Sequence, residues 1–69
     1  MKTYHIGFLK QGETLIIQAS ETMDGLSPQT WKYWGVREIT KRELKQKARQ
    51  LMVCTNQLYR KKFKRVRVE

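Results

Sequence analysis

The chain carries one cysteine, one histidine and one proline in 69 residues, and each scarcity removes a class of protein. Cys54, being alone, excludes an internal disulfide, and with His5 as the only histidine a four-ligand Cys/His zinc site cannot form within one chain. A domain this short buries only roughly 60% of its unfolded surface, so its core must hold it without a staple. Cys54 reads as a small apolar residue near a helix end, with a reactive or dimer-forming thiol as the alternative. Long apolar runs are missing too. Leu15-Ile16-Ile17 falls far short of the roughly 20 residues a bilayer span needs, and Met1–Lys10 has no apolar core of the signal-peptide kind. No membrane partner is expected, and a single free cysteine fits a reducing, cytoplasmic location.

Catalytic constellations are equally sparse. The six carboxylates (Glu13, Glu21, Asp24, Glu38, Glu43, Glu69) are scattered, with no pair spaced for joint acid and base work. None of the four glycines (Gly7, Gly12, Gly25, Gly35) opens a phosphate-binding GK[ST] loop. The expectation is a protein that is not an enzyme, with no catalytic residue, no metal and no cofactor. His5 as the general base of a small ribonuclease-like toxin is the weakest alternative, against the plain reading of a half-exposed strand histidine.

Positive charge is what the chain has in excess, and it is confined to one part. From Lys41 to Glu69 eleven basic residues face two acidic ones, which accounts for the whole net charge of +9; residues 1–40 carry four of each sign. A neutral, apolar-patterned half joined to a cationic half reads as a scaffold presenting a charged surface to a polyanion, nucleic acid being the commonest.

Patterning points to one α+β domain over residues 1–69. Thr3–Lys10 alternates, with Tyr4, Ile6 and Phe8 on one side, and Glu13–Ala19 alternates with Leu15, Ile17 and Ala19 together. Gln11-Gly12 supplies the hairpin turn between them. Residues 20–29 are turn-rich and read as a loop. Thr30–Ile39 is open between a short helical turn after Pro28 and a strand, its aromatic and β-branched content favouring the strand. Thr40-Lys41-Arg42-Glu43 is a capping box, with Ile39 and Leu44 as its hydrophobic staple. Leu44, Ala48, Leu51 and Met52 then form one apolar stripe, predicting a helix over about Lys41–Val53. Thr55-Asn56 read as terminators. Leu58–Val68 reads as a basic strand whose apolar parity switches between Phe63 and Val66, as at a bulge. The order ββ(β)αβ implies a small antiparallel sheet of three to four strands with one helix on a face.

Two groups of residues stand out as candidate binding elements. The tail Tyr59, Arg60, Lys61, Lys62, Phe63, Lys64, Arg65 and Arg67 interleaves rings with cations, six charges falling between Arg60 and Arg67. Arginine and lysine meet phosphates, and rings stack on unpaired bases. Arg42, Lys45 and Arg49 on the helix would extend that surface. The competing reading of the tail is a solvated edge strand kept from aggregating by its lysines. In the second group Trp31 is expected in the core, while Tyr33 and Trp34 are candidate anchors for a protein partner. That partner would be an acidic surface on a host replication or division protein, approached electrostatically. Edge strands on so small a sheet leave a homodimer open.

The strand start Thr3-Tyr4-His5-Ile6, the central Trp31, the Thr40–Glu43 helix start and the basic closing segment Phe63–Val68 together resemble a family of very small enterobacterial prophage proteins of the Rac prophage type. The resemblance covers the full length and transfers no binding residue. It implies a cytoplasmic accessory protein affecting chromosome integrity or replication.

Overall fold

The computed structural model describes residues 2–69 and shows an α+β fold in which one helix lies across a four-stranded sheet. Strands β1 (Thr3–Gln11) and β2 (Thr14–Ser20) form the hairpin, with Phe8 opposite Ile17 and Ile6 opposite Ala19. Gly12 sits in its turn at φ 59°, a conformation that costs glycine little. A short 3-10 turn at Met23–Gly25 interrupts the following loop, and β3 (Lys32–Glu38) then pairs antiparallel with the free side of β1. The open question over Thr30–Ile39 is thus resolved as a strand.

Helix α1 (Lys41–Tyr59) opens on Thr40, whose hydroxyl oxygen accepts the Glu43 N–H at 3.1 Å and donates to the Glu43 carboxylate at 3.2 Å. It buries Leu44, Ala48, Met52 and Thr55 against Tyr4, Ile6, Phe8, Leu15 and Ile17. The helix does not stop at Val53. Thr55 and Asn56 terminate helices when their side chains draw the local backbone into non-helical turns, and here both make bonds that leave the helix intact. The buried Thr55 hydroxyl donates to the Leu51 carbonyl at 2.7 Å, and the Asn56 amide is engaged by Phe63. The helix ends instead at Arg60, which adopts the left-handed conformation (φ 54°, ψ 46°). The Lys61 N–H donates back to the Asn56 carbonyl at 3.0 Å, closing a Schellman turn without glycine.

The expected basic strand over Leu58–Val68 is therefore corrected. Leu58 and Tyr59 complete the helix, residues 60–64 form a turn and link, and only β4 (Arg65–Val68) is extended. The sheet is also not antiparallel throughout. Strand order is β3-β1-β2-β4, and β4 runs parallel to β2 with Leu15 opposite Val66 and Ile17 opposite Val68. A helix as crossover is the connection a parallel return requires, and α1 supplies it.

Val66 and Val68 thereby join the helix-facing side with Leu15 and Ile17, while Arg65 and Arg67 lie on the reverse face. That reverse face is partly roofed by the loop after β2. A Cβ at Gly7 would stand 2.9 Å from Thr30 Cγ2, and Gln18 accepts hydrogen bonds from Ser27 N–H and the Thr30 hydroxyl, both at 3.2 Å. At the start of this loop Glu21 meets Lys2 at 3.0 Å; that hydrogen bond, with the charge of Glu21, raises the Lys2 pKa above its ordinary value.

Candidate nucleic-acid interface

Three lysines and three rings from separate parts of the chain meet beside the C-terminus of α1. The Trp31 N–H donates to the Phe8 carbonyl at 2.7 Å, anchoring the residue at the entrance to β3. Its half-buried ring meets Tyr59 edge-to-face at 5.2 Å between centroids and Phe63 at 6.0 Å. Phe63 is buried and forms the floor; Tyr59, 37% exposed, stands at the rim. Around Trp31 lie the ammonium groups of Lys10 at 5.0 Å, Lys61 at 5.6 Å and Lys32 at 5.7 Å, and Lys32 is also 4.9 Å from the Tyr59 ring. At exposed sites each such cation–π contact contributes about 0.5–1 kcal/mol. The negative end of the helix dipole favours cations at the same place. Next to it Lys10, Gly12, Glu13, Lys61, Lys62 and Phe63 line a cleft of about 410 Å³.

Sheet register explains why Lys10 and Lys32 join this group. Lys32 lies opposite Phe8 and Lys10 opposite Leu15, so both occupy the helix-facing side of the sheet at its end. Lys10, Lys32 and Trp31 did not stand out as binding residues in the sequence, since the first two are isolated charges in the neutral half. One signal was present: Lys10 shares strand parity with Tyr4, Ile6 and Phe8, a charge at a core-facing position.

The tail residues do not share one face. Tyr59 caps the helix, Arg60 makes the left-handed turn, Lys61 lies over Trp31, and Phe63 belongs to the core. Lys64 pairs with Glu13 at 3.4 Å, and its N–H and that of Arg65 donate to the Glu13 carbonyl at 2.8 and 3.2 Å. On the reverse face Arg65 Nε donates to the Thr14 hydroxyl at 3.2 Å, and Arg67 meets Glu69 at 2.9 Å and Gln11 at 3.5 Å. The physical reason for the dispersal is the helix running past Asn56, which leaves only four residues to be strand.

The helix residues fare better. Arg42, Lys45 and Arg49 are all exposed, and Arg42, Arg49 and Asn56 repeat at seven-residue spacing, nearly two turns each, on one flank. Asn56 reaches Phe63 from that flank, so the stripe borders the segment leading into β4. Among the described residues three ion pairs form, and of the eleven basic residues after Thr40 only Lys64 and Arg67 take part.

The two candidate protein anchors separate. Between Ile6 and Gly7 the β1–β3 register shifts, leaving Trp34 as the unpaired residue of a bulge beside Gly35 at φ 121°. Trp34 thus turns to the helix side and stacks on Phe8 at 6.0 Å, with the Arg37 guanidinium 4.4 Å over its ring. It is half-buried, not an exposed anchor. Tyr33 stays on the reverse face, 46% exposed, and its hydroxyl lies 2.9 Å from His5 Nδ1. Trp31 is not a fully buried core residue either, but packs at the core margin. Cys54, expected as a small apolar residue near a helix end, is exposed on α1.

No cluster of three or more His, Cys, Asp or Glu side chains is placed to hold a metal ion among the described residues, and no helix there is long and apolar enough to cross a membrane. The chain matches no protein-family model, no curated protein and no solved structure.

Proposed function

We propose that the protein attaches to nucleic acid through the flank formed by α1 and the segment that follows it. The observation that carries this reading is uncompensated charge. Among the described residues nine of the eleven basic residues after Thr40 have no carboxylate within ion-pair distance, and Arg42, Lys45, Arg49, Lys61 and Lys62 lie along one flank of the helix and just past its end. Self-repulsion of that kind destabilises a small domain and is relieved by a polyanion. Following the resemblance to the prophage family, the setting would be DNA breakage or replication.

The test is a titration of the purified, nuclease-treated protein with duplex DNA across a range of salt concentrations. Five or six phosphate contacts predict a log–log slope of about −5. Charge reversal of Arg42, Lys45 and Arg49 together should flatten it by about 3, roughly one per lost contact. Binding that survives the triple reversal unchanged rules this flank out. Binding no stronger than that of any comparably charged protein would leave the flank as a docking surface for an acidic protein. Tyr33 and Val36, each 46% exposed on the edge strand β3, would give such a partner a separate apolar surface.

A further inference from the structure

Trp31 is surrounded in a way that neither core packing nor diffuse charge explains. A core tryptophan needs no cations, and a solubilising lysine needs no ring. Here Lys10 comes from β1, Lys32 from the start of the neighbouring β3 and Lys61 from the segment after the helix, and all converge on one indole within 5.7 Å. Tyr59 adds a second partly exposed ring at the rim, and the buried Phe63 packs edge-to-face against Trp31. On the far side of Trp31 an open groove of about 610 Å³ continues past Thr30 and Pro28 to Leu26 and Met23. The lysine-lined cleft flanks the rings on the opposite side.

We infer that this cluster is a single-strand site, in which Trp31 stacks an unpaired base, Tyr59 bounds that base edge-on at the rim, and Lys10, Lys32 and Lys61 hold the flanking phosphates. The inference rests on the nucleic-acid reading above and narrows it to one class of strand. In a duplex the base faces are covered by their neighbours and cannot reach a ring; in a single strand they can. Stacking of one base on an aromatic ring exceeds one solvent-exposed cation–π contact, so an arriving base displaces a lysine from the indole. The displaced ammonium group is then next to the phosphate that accompanies that base. Lysine suits this exchange because its four-carbon stem moves the charge without breaking a fixed hydrogen-bond pattern. Among the described residues the three lysines have no ion-pair partner to give up, and the nearby Glu13 is already engaged by Lys64.

The test uses the full chain carrying Trp34→Phe, so that Trp31 alone reports. It is titrated with a short oligodeoxythymidylate and, separately, with the same strand annealed to oligodeoxyadenylate. The expected result is quenching of Trp31 emission by the single strand and binding about tenfold tighter than to the duplex. Tyr59→Ala and Lys32→Gln should each remove most of that preference. Anisotropy of the labelled strand with the wild-type chain checks the affinities independently of the Trp34 substitution. Equal affinity for both forms with unchanged Trp31 emission overturns the single-strand site while the nucleic-acid reading stands. A single-strand preference untouched by Tyr59→Ala and Lys32→Gln overturns it as well. Failure to bind either form removes both readings.

Discussion

Asn56 fastens the cationic segment to the helix, and replacing it with alanine should be the most damaging single change outside the apolar core. Its Oδ1 accepts the Phe63 N–H at 2.9 Å and its Nδ2 donates to the Phe63 carbonyl at 3.0 Å, a two-bond clamp across seven residues. Each neutral hydrogen bond contributes about 1 kcal/mol net, and an orphaned buried group costs about 1–3 kcal/mol. Phe63 is buried but Asn56 is only half-buried, so water can reach part of the vacated space and the lower end of the range applies. We therefore expect Asn56→Ala to cost about 2 kcal/mol, which for a domain of this size lowers Tm by roughly 8–16 °C. Asn56→Asp keeps the acceptor for Phe63 N–H but sets a carboxylate oxygen against the Phe63 carbonyl. It should be at least as damaging as alanine at neutral pH, and partly restored below the carboxylate pKa, where an O–H can donate again. Urea denaturation of the three proteins at pH 7 and pH 3.5 measures this, each variant compared with the wild type at the same pH. A loss under about 0.5 kcal/mol for Asn56→Ala would refute the clamp as a stabilising device.

Arg60 holds a left-handed conformation that costs a non-glycine residue roughly 1–2 kcal/mol. Arg60→Gly should therefore stabilise the fold by about 0.5–1 kcal/mol in the same denaturation assay; destabilisation would mean that the arginine side chain contributes more than its backbone strain. Arg37 guards the open edge of β3. Its guanidinium donates to the carbonyls of Val36 at 2.9 Å and Trp34 at 3.3 Å, occupying acceptors that an added strand would use. Arg37→Ala should promote self-association measurable by light scattering, and a strictly monomeric variant at high concentration would remove that role.

What could be read from the sequence was whatever neighbouring residues decide among themselves. Alternation of Tyr4, Ile6 and Phe8 against Leu15, Ile17 and Ala19 set the hairpin and its buried side. The Thr40–Glu43 cap set the helix start to the residue. The helix end is illegible because Thr55 bonds back within the helix to Leu51, and Asn56 is a breaker only while its side chain lacks a distant partner. Asn56 finds one in Phe63, seven positions on. The parallel placement of β4 follows from where a longer helix delivers the chain, so one misjudged terminus altered the strand as well. The grouping of Lys10, Trp31, Lys32 and Lys61 was hidden for another reason. They come from three separate stretches of chain, and only the order β3-β1-β2-β4 and its register bring them to one end of the sheet. Trp34 reaches the helix side because it keeps the parity of Lys32, opposite Phe8, whereas Trp31 precedes β3 and does not set that parity.

The pairing of β4 with β2 joins Thr14 to Arg65, positions near opposite ends of the chain. Closing so long a loop follows hairpin and helix formation in the usual entropic order. The segment that makes this closure carries Lys61, Lys62, Lys64, Arg65 and Arg67, whose mutual repulsion opposes its compaction. Dissolved ions weaken that repulsion as effectively as they weaken attraction to phosphate. Ionic strength therefore acts with opposite signs on the same residues: it consolidates the closed sheet while loosening its hold on a polyanion. The free protein is at its most labile in the dilute conditions where its affinity is greatest, and a bound strand supplies the neutralisation that salt would otherwise provide.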